Sequence, residues 1–105
     1  MPTPENRIKK IVNKGLKAID EQYPGKIFVR MPVLKGMGKP LLDYVICAGG
    51  HYILIETKRD KDHDLTDIQK DTMQEAMYAG ALVFKVFDQE TADYALAQVE
   101  QCLKS

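Results

Sequence analysis

Leu41-Leu-Asp-Tyr-Val-Ile-Cys-Ala-Gly-Gly-His-Tyr-Ile-Leu-Ile-Glu-Thr-Lys58 carries the pattern on which the rest of the architecture depends. Two runs rich in β-branched and aromatic residues flank Gly49-Gly50. That pattern predicts a hairpin, because the tight primed turns that match strand twist need positive φ, which glycine supplies at little cost. With Gly49 and Gly50 as the loop, Ala48 stands opposite His51. Counting outward puts Asp43 opposite Glu56. Opposite residues share a face, with Cβ atoms roughly 4.5–5.5 Å apart. Lys58 lies two residues beyond Glu56 and so points to that face as well.

Two carboxylates that close repel each other, so either one holds a proton or a cation sits between them. Carboxylate oxygens suit Mg²⁺ or Mn²⁺, which keep several waters while held by one or two carboxylates. An ion there acidifies water beside a phosphate, and Lys58 then holds the attacking water or the phosphate. The rival reading is that Asp43 and Glu56 merely end two strands and Lys58 neutralises them.

The chain has 105 residues, the length of one domain, so residues 1–105 are expected to form a single unit. A 45% apolar and 29% charged composition is that of a soluble globular protein. No apolar run reaches the length of a membrane span. The opening residues lack the apolar region of a signal peptide, so a cytoplasmic protein is expected. Cys47 and Cys102 have no metal-ligand or redox spacing, and Cys47, inside a predicted strand, is expected to be buried. Net charge is zero but uneven: residues 1–43 carry nine Lys/Arg against four Asp/Glu, and residues 44–105 carry six against eleven. A neutral total argues against indiscriminate polyanion binding. The basic part is compatible either with a localised phosphate-binding face or with a bipolar surface that serves solubility or self-association.

Thr3-Pro4 marks a helix start, with Thr3 as cap and Pro4 at the first helical position. Ile8, Ile11, Val12, Leu16 and Ile19 follow at helical spacing, and Tyr23-Pro24-Gly25 ends the helix. Arg7, Lys10, Lys14 and Lys17 form a basic stripe opposite, as a solvated face also would. Glu5 extends the inward side, where it could join a metal site or simply favour the helix dipole. Lys26 to Val33 reads as a strand. The loop Lys35-Gly36-Met37-Gly38-Lys39-Pro40 then leads into the strand of Asp43. It is not a Walker loop, since Pro40 stands where Ser or Thr is required. It reads as a phosphate-contacting loop or as an ordinary turn. After Lys58, residues 59–64 form a mixed-charge loop. Thr66 and Gln69 fit a capping box that opens a second helix, with Leu65, Ile68, Met73, Ala76 and Met77 on its apolar side and Gly80 at its end. Ala81 to Phe87 reads as a strand covered on both faces. Asp88 caps a last helix with Ala92, Ala95, Leu96, Val99 and Leu103 inward. The expected order is α-β-β-β-α-β-α: a mixed four-stranded sheet flanked by helices, its third and fourth strands parallel across a helical crossover.

At these residues the chain resembles the PD-(D/E)xK nuclease superfamily, in the spacing of Glu56-Thr57-Lys58, the preceding Asp43 and the α-β-β-β-α-β order. More narrowly, it resembles a stand-alone VRR-NUC domain, the virus-type replication–repair nuclease. The fit runs from Glu5 through Gly38-Lys39-Pro40 and Asp43 to Glu56-Thr57-Lys58, Gln69 and Ala79-Gly80. Leu42 departs from it, standing where the superfamily name has proline. The resemblance implies a restriction-endonuclease-like αβββαβ core and a Mg²⁺- or Mn²⁺-dependent phosphodiesterase acting on DNA. It implies that Asp43, Glu56 and the Thr57 carbonyl bind the metal, with Glu5 completing the cluster. Lys58 would position or activate water, and Gln69 would help place Lys58 or the phosphate. Arg7, Lys10, Lys14, Lys35 and Lys39 would grip flanking phosphates. Branched or junction DNA as substrate and a homodimer are further implications. A non-catalytic DNA-binding or assembly module on the same fold is the alternative.

Overall fold

The computed structural model describes residues 3–33 and 41–104. The elements run α1 (Pro4–Gln22), β1 (Ile27–Arg30), β2 (Tyr44–Ala48), β3 (His51–Thr57), α2 (Asp67–Tyr78), β4 (Leu82–Val86) and α3 (Gln89–Lys104). The sheet order is β1-β2-β3-β4, antiparallel except for the parallel β3–β4 pair. This is the mixed, helix-flanked α/β sheet expected from the sequence, with the C-terminal helix added.

The hairpin forms in the expected register, with Ala48 opposite His51 and Tyr44 opposite Ile55. Gly49 and Gly50 both take positive φ, 58° and 82°, the signature of a tight primed turn. Gly49 has a second constraint, because a Cβ there would run into the Cys102 carbonyl of α3. The hairpin tip is thereby seated on the last helix.

Strand alternation divides the core in two. Tyr44, Ile46, Ala48, Ile53 and Ile55 face α1 and α3, whose Ile8, Val12, Leu16, Ile19, Ala92, Ala95, Val99 and Cys102 complete the larger cluster. On the other face Leu42 and Leu54 pack under Met73 of α2, with Val45, Leu65, Ala76 and Val83 around them. A fully buried large aliphatic side chain contributes roughly 1.5–3 kcal/mol, so the heavier layer anchors the sheet and α2 is the lighter cover. Gly15 lets α1 approach α3 closely, since a side chain there would meet Leu96.

Several local expectations are corrected. Cys47 is exposed, not buried, because it alternates with Ile46 and Ala48 onto the α2 side, beyond the helix's cover. Ile68 and Met77 stand mostly exposed on α2; one helix over a narrow part of the sheet buries only a thin stripe. In β4 only Val86 is fully buried, since β4 is an edge strand. β1 is shorter than the apolar run 26–33 suggests. The loop bearing Lys35 and Lys39 lies outside the described residues.

Candidate active site

Helix capping places the first acid. The Thr3 hydroxyl accepts from the Asn6 N–H at 3.1 Å, so α1 begins at Pro4 and holds Glu5 in its first turn. The buried Tyr44 then fixes the helix against the sheet. Its hydroxyl donates to Asn13 Oδ1 at 2.7 Å, with the Lys9 carbonyl at 3.2 Å. Burial, then the Asp43 charge, pushes the Tyr44 phenol well above its ordinary pKa, which keeps it a neutral donor.

The β2–β3 ladder stops at Tyr44 and Ile55, and the next pair is joined through side chains. The Asp43 N–H donates to Glu56 Oε1 at 3.0 Å. Asp43 Oδ2 accepts from the Thr57 N–H at 2.9 Å and from the Thr57 hydroxyl at 2.6 Å. Asp43 therefore lies across the end of β3 rather than squarely above the sheet. A helix on the opposite face can reach it there: one carboxylate oxygen from each of Glu5, Asp43 and Glu56 lies within 4.8 Å of the other two. The Lys58 Nζ stands 3.9 Å from Glu56 Oε2, with Lys58 16% and Glu56 5% exposed. Burial first, then the Asp43 charge, raises the Glu56 carboxyl to about 7; the Asp43 N–H and Lys58 oppose this, and Glu5 adds to it.

Gln69 joins two structures with one amide. Its Oε1 accepts from the Thr66 N–H at 2.9 Å, closing the capping box. Its Nε2 donates to Glu56 Oε2 at 2.8 Å. The cap fixes which end of the amide faces the acid, so Gln69 presents a donor.

The structure thus gathers Glu5, Asp43, Glu56, Thr57, Lys58 and Gln69. It leaves Arg7, Lys10 and Lys14 exposed on the side of α1 away from the buried Ile8, Val12, Leu16 and Ile19. Sequence reasoning missed Lys9, whose Nζ lies 3.8 Å from Asp43 Oδ1. The signal was present: Lys9 is four residues after Glu5, a spacing that shares a helix face. The Thr57 side chain, which grips Asp43, is a second member of the site that spacing alone does not mark. Among the described residues, no buried side-chain nitrogen or oxygen lacks a hydrogen-bond partner.

The site is thus the end of an antiparallel hairpin where clustered acids and a lysine meet, with helices on both faces of the sheet. The chain is similar to a solved structure described as a VRR_NUC domain, at a TM-score of 0.74 over 90% of this chain and 96% of that one, with 21% identity. The chain therefore has the VRR_NUC fold. No protein-family model and no curated protein matches the sequence.

Proposed function

We propose that this chain is a divalent-metal-dependent deoxyribonuclease that hydrolyses phosphodiester bonds. The observation that carries the reading is the convergence of three carboxylates within 4.8 Å, with an amine 3.9 Å from one of them. The donor set fits Mg²⁺ or Mn²⁺, being all hard oxygen without His or Cys. Asp43, Glu56 and the Thr57 carbonyl would hold the ion, and Glu5 would complete the cluster. Bound there, it supplies charge neutralisation at a phosphate and lowers the pKa of water.

The chain's own residues do the rest. The Thr57 amide and hydroxyl fix Asp43 Oδ2 and leave Oδ1 turned toward Lys9. Gln69 and the Asp43 N–H hold the two oxygens of Glu56. Lys58 holds the attacking water or a phosphate oxygen, and Lys9 meets the negative charge of an incoming strand. Arg7, Lys10, Lys14, Lys35 and Lys39 contact flanking phosphates. These contacts position the backbone and read no base, which favours structure-selective endonucleolytic cutting, as of branched or junction DNA, over sequence-specific cutting. We further propose that the protein acts as an intracellular homodimer.

The test is to incubate the protein with branched, nicked and linear DNA and Mg²⁺ or Mn²⁺. Cutting is expected, with loss in EDTA and in Asp43→Ala, Glu56→Ala and Lys58→Ala. Cutting that persists unchanged in those variants overturns the assignment, and salt-sensitive binding without cutting under any metal selects the non-catalytic module. Gel filtration tests the dimer.

A further inference from the structure

α2 covers only part of its side of the sheet. Its cluster takes in Leu42, Val45, Leu54 and Val83 and leaves the β1 side open. There, one register row crosses three strands: Phe28 stands opposite Cys47, and Cys47 opposite Tyr52. Phe28 is 51% and Tyr52 47% exposed, and Cys47 is exposed between them. Rings two strands apart sit on the order of 10 Å from each other, with a small side chain as the floor between.

Three features give this row a ligand chemistry. It lies on the same sheet face as Glu56, four residues along β3, or ~13 Å at the usual rise per residue. Arg30 stands opposite Val45, between that row and the acid row, and its guanidinium lies 4.1 Å over the Phe28 ring. That ring face therefore already accepts a flat cationic partner. The row is also small. Two half-exposed aromatics and a cysteine offer on the order of 200–300 Å², well short of the roughly 800 Å² per partner of a stable protein interface.

We propose that Phe28 and Tyr52, with Arg30 between them and the acids, form a stacking platform for unpaired bases of the DNA strand entering the carboxylate site. This rests on the nuclease reading above and deepens it. Every base has a π face, so such a platform is tolerant of sequence and selects unpaired nucleotides beside the cut. It supplies a physical source of structure selectivity that needs no reading of base edges.

Binding in EDTA tests this without cleavage. Fluorescence anisotropy compares a fully paired duplex, the same duplex with an unpaired flap, and the flap with abasic nucleotides. The wild type should prefer the flap and lose about tenfold on the abasic flap. Phe28→Ala/Tyr52→Ala should lose about tenfold on the flap and under about twofold on the duplex, and Phe28→Tyr should bind the flap as the wild type does. Equal losses on flap and duplex, or an abasic flap bound as tightly as the normal one, overturn the proposal. So does a wild-type dimer that the double variant turns into a monomer in sedimentation equilibrium, since the face is then a subunit contact. The abasic arm needs no variant and stands even where the double variant folds poorly. A wild type that cuts no DNA with Mn²⁺ refutes the nuclease reading separately, because stacking is scored without metal.

Discussion

Glu56 carries two demands that conflict: it is nearly buried, and it is proposed to bind a cation as a carboxylate. Without metal its carboxyl holds a proton up to about 7 in the fold, against 4.5 for the unperturbed group. Across that window the folded chain binds more protons than the unfolded one. The stability this contributes is therefore complete below about 4.5 and lost as pH rises through about 7. Urea unfolding in EDTA should show a loss on the order of 2 kcal/mol from this group between pH 5 and 8. Glu56→Gln should remove that component of the pH trend, whatever it costs by setting an amide against the Gln69 donor. Mn²⁺ binding should strengthen over the same range, because the ion displaces the proton. Lys9, 3.8 Å from Asp43, is a cation at the mouth of the cluster. Lys9→Met should tighten Mn²⁺ binding about threefold at low salt, the scale of a partly exposed ion pair, while weakening DNA binding. Calorimetric titration reads the first effect, and unchanged or weaker Mn²⁺ affinity would contradict it.

At the scale of elements, α2 is tied to the acids through its own cap. Thr66→Ala removes the hydroxyl that accepts the Gln69 N–H but leaves the Gln69 amide as a donor to Glu56. It should cost about 1 kcal/mol of stability and leave most metal-dependent cutting. Gln69→Ala removes both links and should lower kcat well beyond its effect on stability. Equal activity losses in the two variants would mean that Gln69 serves the helix alone. The hairpin tip makes a separate prediction. Gly49→Ala brings a Cβ into the Cys102 carbonyl at a φ of 58°, where an L side chain is strained in any case. A loss of about 2 kcal/mol or more is expected, read as a lower melting temperature. The turn, its register, the capping box and the start of α1 were legible because each rests on chemistry within a few residues. The exposure of Cys47, Ile68 and Met77 was not, since how much sheet one helix covers is a property of packing.

For the molecule as a whole, zero net charge conceals a +5 segment, residues 1–43, and a −5 segment, residues 44–105. The described basic stripe, Arg7, Lys10 and Lys14, lies on the outer side of α1, so each residue should act on phosphates additively and without regard to sequence. Removing each should reduce the slope of log K against log salt by about 1. A salt slope unchanged in the triple alanine variant would remove these residues from the interface. Among the described residues no helix is long and apolar enough to cross a membrane.

Alternation and the diglycine turn by themselves determined the hairpin, and with it the approach of Asp43 to Glu56, because strand periodicity and turn geometry are local rules. The order of elements and the parallel β3–β4 pair followed from the same patterns together with the handedness of crossovers. Packing in three dimensions added the rest: Glu5 and Lys9 reach the acids from a helix on the opposite face, Thr57 grips Asp43, and Gln69 serves cap and site at once. These contacts join residues distant in sequence. Their geometry depends on where two helices come to rest against the end of a sheet, which no periodicity within a segment encodes.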